Sequence, residues 1–394
     1  MRLLLLPLLL LLAAATPPPA AQRVPSYGAL DRTARLDATE KRLAAIVRES
    51  WPAAEIGVDR ALSLAARELA AAVAAGASLE SAARSERLRL AVARAGAVAP
   101  EVQPHLVRAS SMELALQRLR ERLGQEGTQP PPEQVGVGAA ARDGRYAVVV
   151  LRAPDRAAVQ PFPAQVAVGS SHRLAGTLRP PLGSPSLYLT SPGGAPAKLR
   201  RAGEGGRFAS VVHFPRAGHY ILEVIGDGPA GPQVAVLLDV WAGGPIPDGA
   251  GEEAPQAEPM SVDGKELLAA ELANELRRSR GLRPLRIDPM LQRTARAYAE
   301  ELLRTGRFAH RSPISGDLQD RLRAAGYPYL RAGENLAQAP TVREAHASTV
   351  RSPGHLANLV EPGWTEAGFG LARGKTAGGQ PTVVLVQLFA APRR

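Results

Sequence analysis

Three short stretches in the last third of the chain decide its fold: Phe308-Ala-His310-Arg-Ser312-Pro313, Gly333-Glu334-Asn335-Leu336 and Ser352-Pro-Gly-His355-Leu-Ala-Asn358. Each stretch stands near the end of a helical apolar pattern, which predicts loops whose side chains reach solvent. The stretches Trp364-Thr-Glu366-Ala-Gly368-Phe-Gly370 and Val386-Gln387-Leu-Phe389 follow them, and the last of these is typical of a strand. This order predicts a domain of helices and strands with polar groups on its loops.

Two histidines and one glutamate are the candidate functional residues: His310, Glu334 and His355. Neutral imidazoles and a carboxylate can ligate a divalent metal or transfer protons. Glu334 follows a glycine, which predicts a tight backbone path toward a cleft. Spacing alone leaves a structural alternative open, in which Glu334 ties loops together as a buried carboxylate and Asn335 forms a turn.

Together these motifs resemble the CAP superfamily of SCP-like domains, which includes cysteine-rich secretory proteins, plant pathogenesis-related proteins and many secreted bacterial proteins. The resemblance covers residues 262–394 and rests on His-x-Ser-Pro, Gly-Glu-Asn and Ser-Pro-Gly-His-x-x-Asn in that order. It implies an α-β-α sandwich with a central cleft. It also implies that His310, Glu334 and His355 line this cleft, with catalytic roles if the protein is an enzyme. The two histidines are then the implied ligands of a divalent metal such as zinc.

The same resemblance implies a set of supporting residues around the cleft: Ser312, Asn335, Ser352, Asn358, Glu366 and Gln387. Two positions depart from the family pattern. Many members carry a second cleft glutamate before the second histidine, where this chain has Ser352, and Thr349 stands where a tryptophan is frequent. Glu366 could supply the missing carboxylate, although a strand-entry position facing solvent is an equal alternative. With two imidazoles and one carboxylate, we expect modest metal affinity.

Composition excludes several classes of protein. The chain has 394 residues, no cysteine and a net charge of +11, which excludes a disulfide framework, a thiolate metal site and a cysteine nucleophile. Nearly all the positive charge is arginine, spread along helices instead of gathered into a stripe with aromatic residues between. We therefore expect no nucleic-acid partner and only weak attraction to anionic envelope surfaces.

Residues 1–21 predict a cleaved secretory signal. Arg2 precedes an apolar run from Leu3 to Ala15 that is too short to span a bilayer, and small residues close it. No other segment has the length and apolar character of a transmembrane helix. We expect a secreted or periplasmic protein with no integral membrane segment after signal cleavage.

The remaining sequence predicts an α+β multidomain chain. Residues 25–155 form a mainly helical region, and short strands separated by turns at 158–243 predict a small antiparallel sandwich of immunoglobulin-like type. In that segment Phe214-Pro-Arg-Ala-Gly218-His-Tyr220 is typical of the turn into a late strand. Residues 244–261 are rich in Gly, Pro and acidic residues without periodicity, which predicts a linker before the CAP-like segment at 262–394.

The two helical regions share a skeleton, which predicts that residues 25–155 are a degenerate CAP-like repeat. Both contain an Asp-x-x-Leu helix start followed by Ala-Arg, then two glycines at one common separation, then a Gly-x-Gly before a Val-rich strand. The matching positions are Asp59 and Asp288, Ala66-Arg67 and Ala295-Arg296, Gly76 and Gly306, Gly96 and Gly326, and Gly138 and Gly370. The first copy lacks the histidine and glutamate landmarks.

Three functions remain open at this stage. The first is a ligand-binding module whose His/Glu cleft holds a lipid or cell-envelope component. The second is a metal-assisted hydrolase in which Glu334 accepts a proton from metal-bound water, although the sequence contains no HExxH or GxSxG motif. The third is an adhesion or structural protein of the cell envelope. Whether the protein is an enzyme stays open.

Overall fold

The computed structural model describes residues 25–28, 34–125, 130–249, 256–375 and 381–393. The predicted signal segment and part of the predicted linker, residues 250–255, lie outside these ranges. Within them, no helix combines the length and the apolar character needed to cross a membrane. The described elements fall into three consecutive groups along the chain.

The first group places helices on both faces of a four-stranded sheet. Before it, β1 (Ser26–Tyr27) pairs with Phe162–Pro163 of the second group. The elements of the first group are α1 (Ala38–Ser50), β2 (Gly57–Val58), α2 (Arg60–Ala74), α3 (Leu79–Ala83), α4 (Ser85–Ala95), β3 (Gln103–Ala109), α5 (Met112–Gly124), β4 (Gln134–Arg142) and β5 (Arg145–Ala153). The sheet order is β2-β4-β5-β3, and only the β2–β4 pair is parallel. Val149 packs with residues of α2 and α4, whereas Val148 and Val150 pack with those of α1 and α5. Both faces of β5 are therefore buried.

The second group consists of strands in two main sheets. Its elements are β6 (Ala157–Val159), β7 (Phe162–Pro163), β8 (Gln165–Val166), β9 (Ser171–Leu178), β10 (Gly183–Thr190), β11 (Pro196–Lys198), β12 (Arg207–His213), β13 (Gly218–Gly228) and β14 (Gly231–Ala242). The sheet orders are β11-β10-β13-β14-β8 and β12-β9-β6. Leu174 and Phe208 of the smaller sheet share one apolar core with Leu222 and Val236 of the larger. We call this group the β-sandwich.

The turn before β13 is closed by its own tyrosine. The hydroxyl of Tyr220 donates to the carbonyl oxygen of Arg216 at 2.9 Å and accepts from the Arg216 N–H at 3.2 Å. Gly218 between them has a φ of 130°, a left-handed conformation that favours glycine. These contacts fix the entry of β13, the strand that faces the C-terminal group.

The third group again layers helices over both faces of a four-stranded sheet. Its elements are α6 (Val262–Ser279), β15 (Arg286–Ile287), α7 (Pro289–Thr305), α8 (Leu318–Ala324), β16 (Tyr329–Ala339), α9 (Val342–Arg351), α10 (Pro353–Leu359), β17 (Glu366–Lys375) and β18 (Pro381–Pro392). The sheet order is β15-β17-β18-β16. Leu385 and Phe389 of β18 pack with residues of α6, α9 and α10, whereas Val386 packs with those of α7 and α8. We call this group the C-terminal domain.

The first and third groups have the same strand order and the same strand directions. In each, a glycine lets a strand approach a helix backbone closely. A Cβ on Gly136 would lie 2.2 Å from the carbonyl carbon of Leu62, and one on Gly368 would lie 2.3 Å from that of Leu291. Any side chain at these glycines would force the helix and the sheet apart.

The two groups also share a buried ion pair at equivalent places. In the first, Arg67 Nε donates to Oε1 of the buried Glu40 on α1 at 2.6 Å. In the third, Arg296 Nε donates to Oε1 of the buried Glu266 on α6 at 2.8 Å. Each pair ties the helix after the parallel edge strand to the first helix of its group.

Candidate functional site

All three groups contribute walls to one cavity of about 1050 Å³. The C-terminal domain contributes the three predicted residues His310, Glu334 and His355. The β-sandwich contributes Glu223, and helix α4 of the first group contributes Arg89. The structure thus brings the predicted histidines and glutamate to one cavity, with neighbours from parts of the chain that the motifs do not include.

Glu334 and Asn335 lie inside strand β16, not on a loop as the sequence pattern predicted. They pair with Leu388 and Gln387 of β18. The glycine before them does not adopt a left-handed conformation. Gly333 is needed for space, because an added Cβ would lie 3.1 Å from Oδ1 of Asn358 and 3.2 Å from the ring of Trp364.

The carboxylate of Glu334 is bound by the imidazole of His310 and the guanidinium of Arg321. Oε1 lies 2.8 Å from Nδ1 of His310, and Oε2 accepts from Nη2 of Arg321 at 2.6 Å. Arg321 is itself buried, with its guanidinium carbon 3.5 Å from the ring centroid of Tyr298. The Tyr298 hydroxyl donates to the carbonyl oxygen of Ala309, next to His310. This network fixes the His310 loop against β16.

Arg321 was not among the sequence-based candidates. It lies in the short helix α8, where a charged residue would ordinarily be exposed. Arg323, two positions on, has an exposed side chain that pairs with Asp320. No pattern in the sequence distinguishes the buried arginine from the exposed one.

His355 lies in the first turn of the short helix α10, not on a loop. The helix begins at Ser352, whose Oγ accepts a long hydrogen bond from the His355 N–H at 3.4 Å. Burial, together with the nearby His310, lowers the pKa of His355 to about 4. The imidazole is therefore neutral at physiological pH and faces the same cavity as His310.

Three side-chain amides join the strands of the cleft to α10. Asn335 Nδ2 donates to the carbonyl oxygen of His355 and to Oε1 of Gln387, each at 3.0 Å. Asn358 Nδ2 donates to Oδ1 of Asn335 at 2.9 Å and to the carbonyl oxygen of Glu334 at 3.2 Å. Asn335 and Gln387 are fully buried. The amides hold the backbone of His355 beside that of Glu334.

Of the six predicted supporting residues, only Ser352 and Asn358 line the cavity. Asn335 and Gln387 lie behind it in the amide network, and Ser312 and Glu366 make contacts elsewhere. Ser312 donates to Glu301 and accepts from the N–H groups of two residues that follow it, so it closes its own turn. Glu366 lies at the start of β17, where it is bonded by Arg286 and by the hydroxyl of Tyr327. It is at a strand entry but buried, and it does not supply the missing cleft carboxylate.

A carboxylate from the β-sandwich reaches the cavity beside Ser352. Glu223 of β13 is fully buried, and its oxygens accept from Ser352 Oγ at 2.5 Å and from the Gly354 N–H at 2.6 Å. Burial raises the pKa of Glu223 to about 7, although both hydrogen bonds act in the opposite direction. The sequence feature that could have indicated Glu223 is its position as a charged residue in the otherwise apolar strand pattern Tyr-Ile-Leu-Glu-Val. Glu223 was not among the predicted site residues.

Arg351, the last residue of α9, is a half-buried cation at the cavity wall. In the described part of the chain its Nε has no hydrogen-bond partner. Burial lowers the pKa of Arg351, while Asp239 acts to raise it and Arg89 acts to lower it further. Arg351 thus brings a partly buried cation to the cavity wall, near the carboxylates of Asp239 and Glu223.

The side chains present do not fit a three-ligand metal centre. Among the residues that the structure describes, no three His, Cys, Asp or Glu side chains are grouped closely enough to hold an ion. His310 uses Nδ1 for Glu334, and the other oxygen of Glu334 is taken by Arg321. His310 and His355 remain as two nitrogen donors, fewer than the three or four protein ligands typical of zinc sites.

Comparisons with known proteins identify the C-terminal part of the chain. Residues 270–389 match the model of the cysteine-rich secretory protein family, CAP. An uncharacterized protein of Bacillus subtilis (strain 168), YkwD, is 36% identical over 113 residues, which cover 28% of this chain and 44% of that relative. The chain thus matches less than half the length of this curated relative.

Two solved structures are similar to this chain, each with a low TM-score. One is an extracellular protein containing an SCP domain from Bacillus anthracis str. Ames, with 18% identity and a TM-score of 0.30 over 49% of this chain and 66% of that one. The other is an outer surface protein from Borrelia burgdorferi, with 22% identity and a TM-score of 0.30 over 35% of this chain and all of that one. By its family match at 270–389 and its three cleft motifs, the C-terminal third of this chain is a CAP domain of the cysteine-rich secretory protein family.

Proposed function

We propose that this protein is a ligand-binding module whose cavity holds an amphipathic molecule with an anionic group, such as a lipid of the cell envelope. The observation that carries the proposal is the cavity of about 1050 Å³ beside His310, Glu334 and His355, a size typical of sites for small ligands. Its walls combine an apolar surface with the guanidinium of Arg351, whose buried Nε has no hydrogen-bond partner among the described residues.

The apolar part of the cavity lies between the first group and the β-sandwich. It includes Leu88 and Val92 of α4 and Ile225 and Leu237 of the strand pair β13–β14. Two exposed apolar side chains, Phe308 and Leu330, also border the cavity from the C-terminal domain. Exposed apolar groups around a cavity favour an apolar ligand, because their burial by the ligand removes them from water.

The polar part of the cavity suits the anionic headgroup of an amphipathic ligand. Arg351 offers guanidinium N–H groups to a phosphate or a carboxylate. His310 offers the ring nitrogen that its bond to Glu334 leaves free, and His355 adds a neutral imidazole. These groups can orient a headgroup without forming or breaking a covalent bond.

The geometry favours binding over metal-assisted hydrolysis. Both oxygens of Glu334 accept hydrogen bonds from His310 and Arg321, contacts that hold the carboxylate in place, and the two imidazoles are fewer ligands than a zinc site uses. We therefore assign Glu334 an orienting role. No observation favours the adhesion alternative over ligand binding.

We also propose that residues 25–155 are a duplicated CAP-like unit that has lost its cleft, followed by an immunoglobulin-like sandwich at 158–243, the linker at 244–261 and the CAP domain at 262–394. The shared strand order, the paired glycines and the Glu40–Arg67 and Glu266–Arg296 pairs support the duplication. In register, Pro104 and His105 of β3 stand where β16 has Glu334 and Asn335. The apolar leader at 1–21 supports secretion.

The proposal is tested by thermal unfolding with short-chain lipids below their micellar concentration. We expect dihexanoyl phosphatidylglycerol to raise Tm more than dihexanoyl phosphatidylcholine does, and a ligand at a hundredfold excess over Kd adds about 2.7 kcal/mol of stability. Arg351→Gln should remove the preference for the anionic lipid. The matched control is Arg331→Gln, since Arg331 also borders the cavity but is exposed and paired with Glu361.

Two outcomes would contradict the lipid assignment. If neither lipid changes Tm while a soluble muramyl peptide raises it, the ligand is a wall fragment. If neither class of probe changes Tm in the wild-type protein, the cavity is not a binding site for either.

A further inference from the structure

One strand pair of the β-sandwich holds both histidine-bearing segments of the cleft. The N–H groups of His310 and Arg311 donate to the carbonyl oxygen of Ala230, each at 3.1 Å. Ala230 lies in the turn between β13 and β14. A Cβ on the next residue, Gly231, would lie 2.9 Å from the Cβ of His310. The turn therefore fits closely against the His310 segment.

The second segment is held by Glu223, near the middle of β13. Its two oxygens bind the hydroxyl of Ser352 and the N–H of Gly354, the residue before His355. Gly354 is required for this approach, because an added Cβ would lie 2.6 Å from Cδ1 of Ile225 and 2.9 Å from Oε2 of Glu223. Strand β13 and the start of α10 are thus in direct contact.

The β-sandwich itself gives no reason for a carboxylate at this position. The cross-strand neighbours of Glu223 are Tyr188 on β10 and Leu237 on β14. Both of its hydrogen-bond donors, and the cation that acts on it, Arg351, belong to the C-terminal domain. Burying a carboxylate is costly unless it is hydrogen-bonded. The contacts that offset this cost are all made across the boundary to the CAP domain.

We propose that Glu223 is the second carboxylate of the His310–Glu334–His355 cleft and a positioning residue for His355, so that the cleft is a composite site of the CAP domain and the β-sandwich. Glu223 brings a carboxylate to the hydroxyl of Ser352 and to the N–H before His355. Strand β13 and its turn thus hold the backbone of both histidine segments. This inference holds whichever ligand the cavity binds.

The test observes the two imidazoles directly in the full-length protein. The chain has seven histidines, so a sample with ¹³C-labelled histidine gives a small set of ring signals, assigned with His310→Gln and His355→Gln. Spectra are recorded with EDTA at one pH, so that neither metal nor titration contributes. In Glu223→Gln we expect the His355 signal to move by several line widths. We also expect amide hydrogen exchange in residues 353–359 to rise roughly tenfold or more, the factor for losing a hydrogen bond to a charged group.

The matched control is Glu344→Gln. Glu344 lies on α9 and accepts from Ser85 of α4 at 3.3 Å, so it is also a contact between groups but does not touch α10. We expect it to leave the His355 signal at its wild-type position. Glu223→Asp keeps the charge but shortens the side chain by one methylene, and should move the same signal in the same direction, by less, even if Glu223→Gln does not fold.

Two results would overturn the proposal. One is a wild-type His355 signal and wild-type exchange at 353–359 in a folded Glu223→Gln variant, or in Glu223→Asp if Glu223→Gln does not fold. The other is an equal response to Glu344→Gln, which would mean that any loosening of the contacts between groups disturbs the cleft.

Discussion

Nδ1 of His310 lies 2.8 Å from Oε1 of Glu334, whose second oxygen is bound by Arg321. Because Nδ1 faces a carboxylate oxygen, a proton lies on Nδ1 and Nε2 is the ring nitrogen left for the cavity. Glu334 is in turn fixed by a buried guanidinium. The pair therefore presents an oriented imidazole to the cavity.

Loss of the Arg321 side chain should destabilise the protein strongly. In Arg321→Met the carboxylate of Glu334 stays buried without its cationic partner, and removing one member of a buried pair typically costs about 3–5 kcal/mol. The measurement is urea unfolding at neutral pH. Arg323→Met is the control on the same helix. Its side chain is 75% exposed, so we expect a change of at most about 1 kcal/mol. Equal effects of the two variants would contradict the network.

Metal binding should be weak. Two imidazoles are available, and Glu334 is occupied by His310 and Arg321. We expect EDTA to leave Tm unchanged and zinc to bind no more tightly than the micromolar range, with loss of that binding in His355→Ala. Isothermal titration with zinc, after dialysis against EDTA, measures this. Tight stoichiometric binding that survives His355→Ala would show that a different set of ligands holds the ion.

Titration of Glu223 should contribute to the dependence of stability on pH. Burial raises the pKa of Glu223 from 4.5 to about 7, so between these values the folded state binds more protons than the unfolded state. The contribution of Glu223 to the free energy of unfolding should therefore fall by about 3 kcal/mol at most as pH rises from 4.5 to 7. Glu223→Gln should remove this contribution, which is measured as the difference between the wild-type and variant curves in urea unfolding from pH 5 to 8.

His355 acts in the opposite direction and provides the control. Its pKa is lowered from 6.5 to about 4, so the unfolded state binds more protons in that window and stability falls as pH drops through it. His355→Gln should weaken the loss of stability below pH 6 and leave the slope on the alkaline side intact. If Glu223→Gln has the same pH profile as the wild type, the buried carboxyl does not titrate in this window.

The elements of the C-terminal domain could be predicted from the sequence because their signals are local. Asp288 before Pro289 marks the start of α7, and Gly306 with a φ of 65° ends it. Thr341 starts α9 by accepting from the Glu344 N–H. The motif residues were specific enough to place His310, Glu334 and His355 at one cavity. These signals lie within a few residues of the structure they determine.

Strand β16 and the composite wall could not be predicted in the same way. Glu334 lies in a strand whose polar residues face buried partners, so the alternation of apolar and polar residues expected of a half-exposed strand is missing. Arg321 and Glu223 act through contacts to segments distant in sequence. Glu366 shows the converse, since its strand-entry position was recognised but its burial by Tyr327 and Arg286 was not. Burial of a charged residue is a property of the packed fold.

If the first group is a duplicate of the CAP domain, substitution of Gly136 and of Gly368 should have similar effects on stability. A Cβ at Gly136 or at Gly368 would lie within 2.3 Å of the carbonyl carbon of Leu62 or Leu291, so helix and sheet must separate. We expect Gly136→Ala and Gly368→Ala each to lower the free energy of unfolding by about 1–3 kcal/mol or more, as overpacking does. Gly57→Ala is the control, since its nearest neighbour, the Glu133 carbonyl oxygen, is 4.0 Å away, and we expect a change within about 0.5 kcal/mol. If Gly136→Ala behaves like Gly57→Ala while Gly368→Ala is costly, the first group does not keep the helix-to-sheet approach of the CAP domain, and its shared strand order would then reflect a common topology without a common origin.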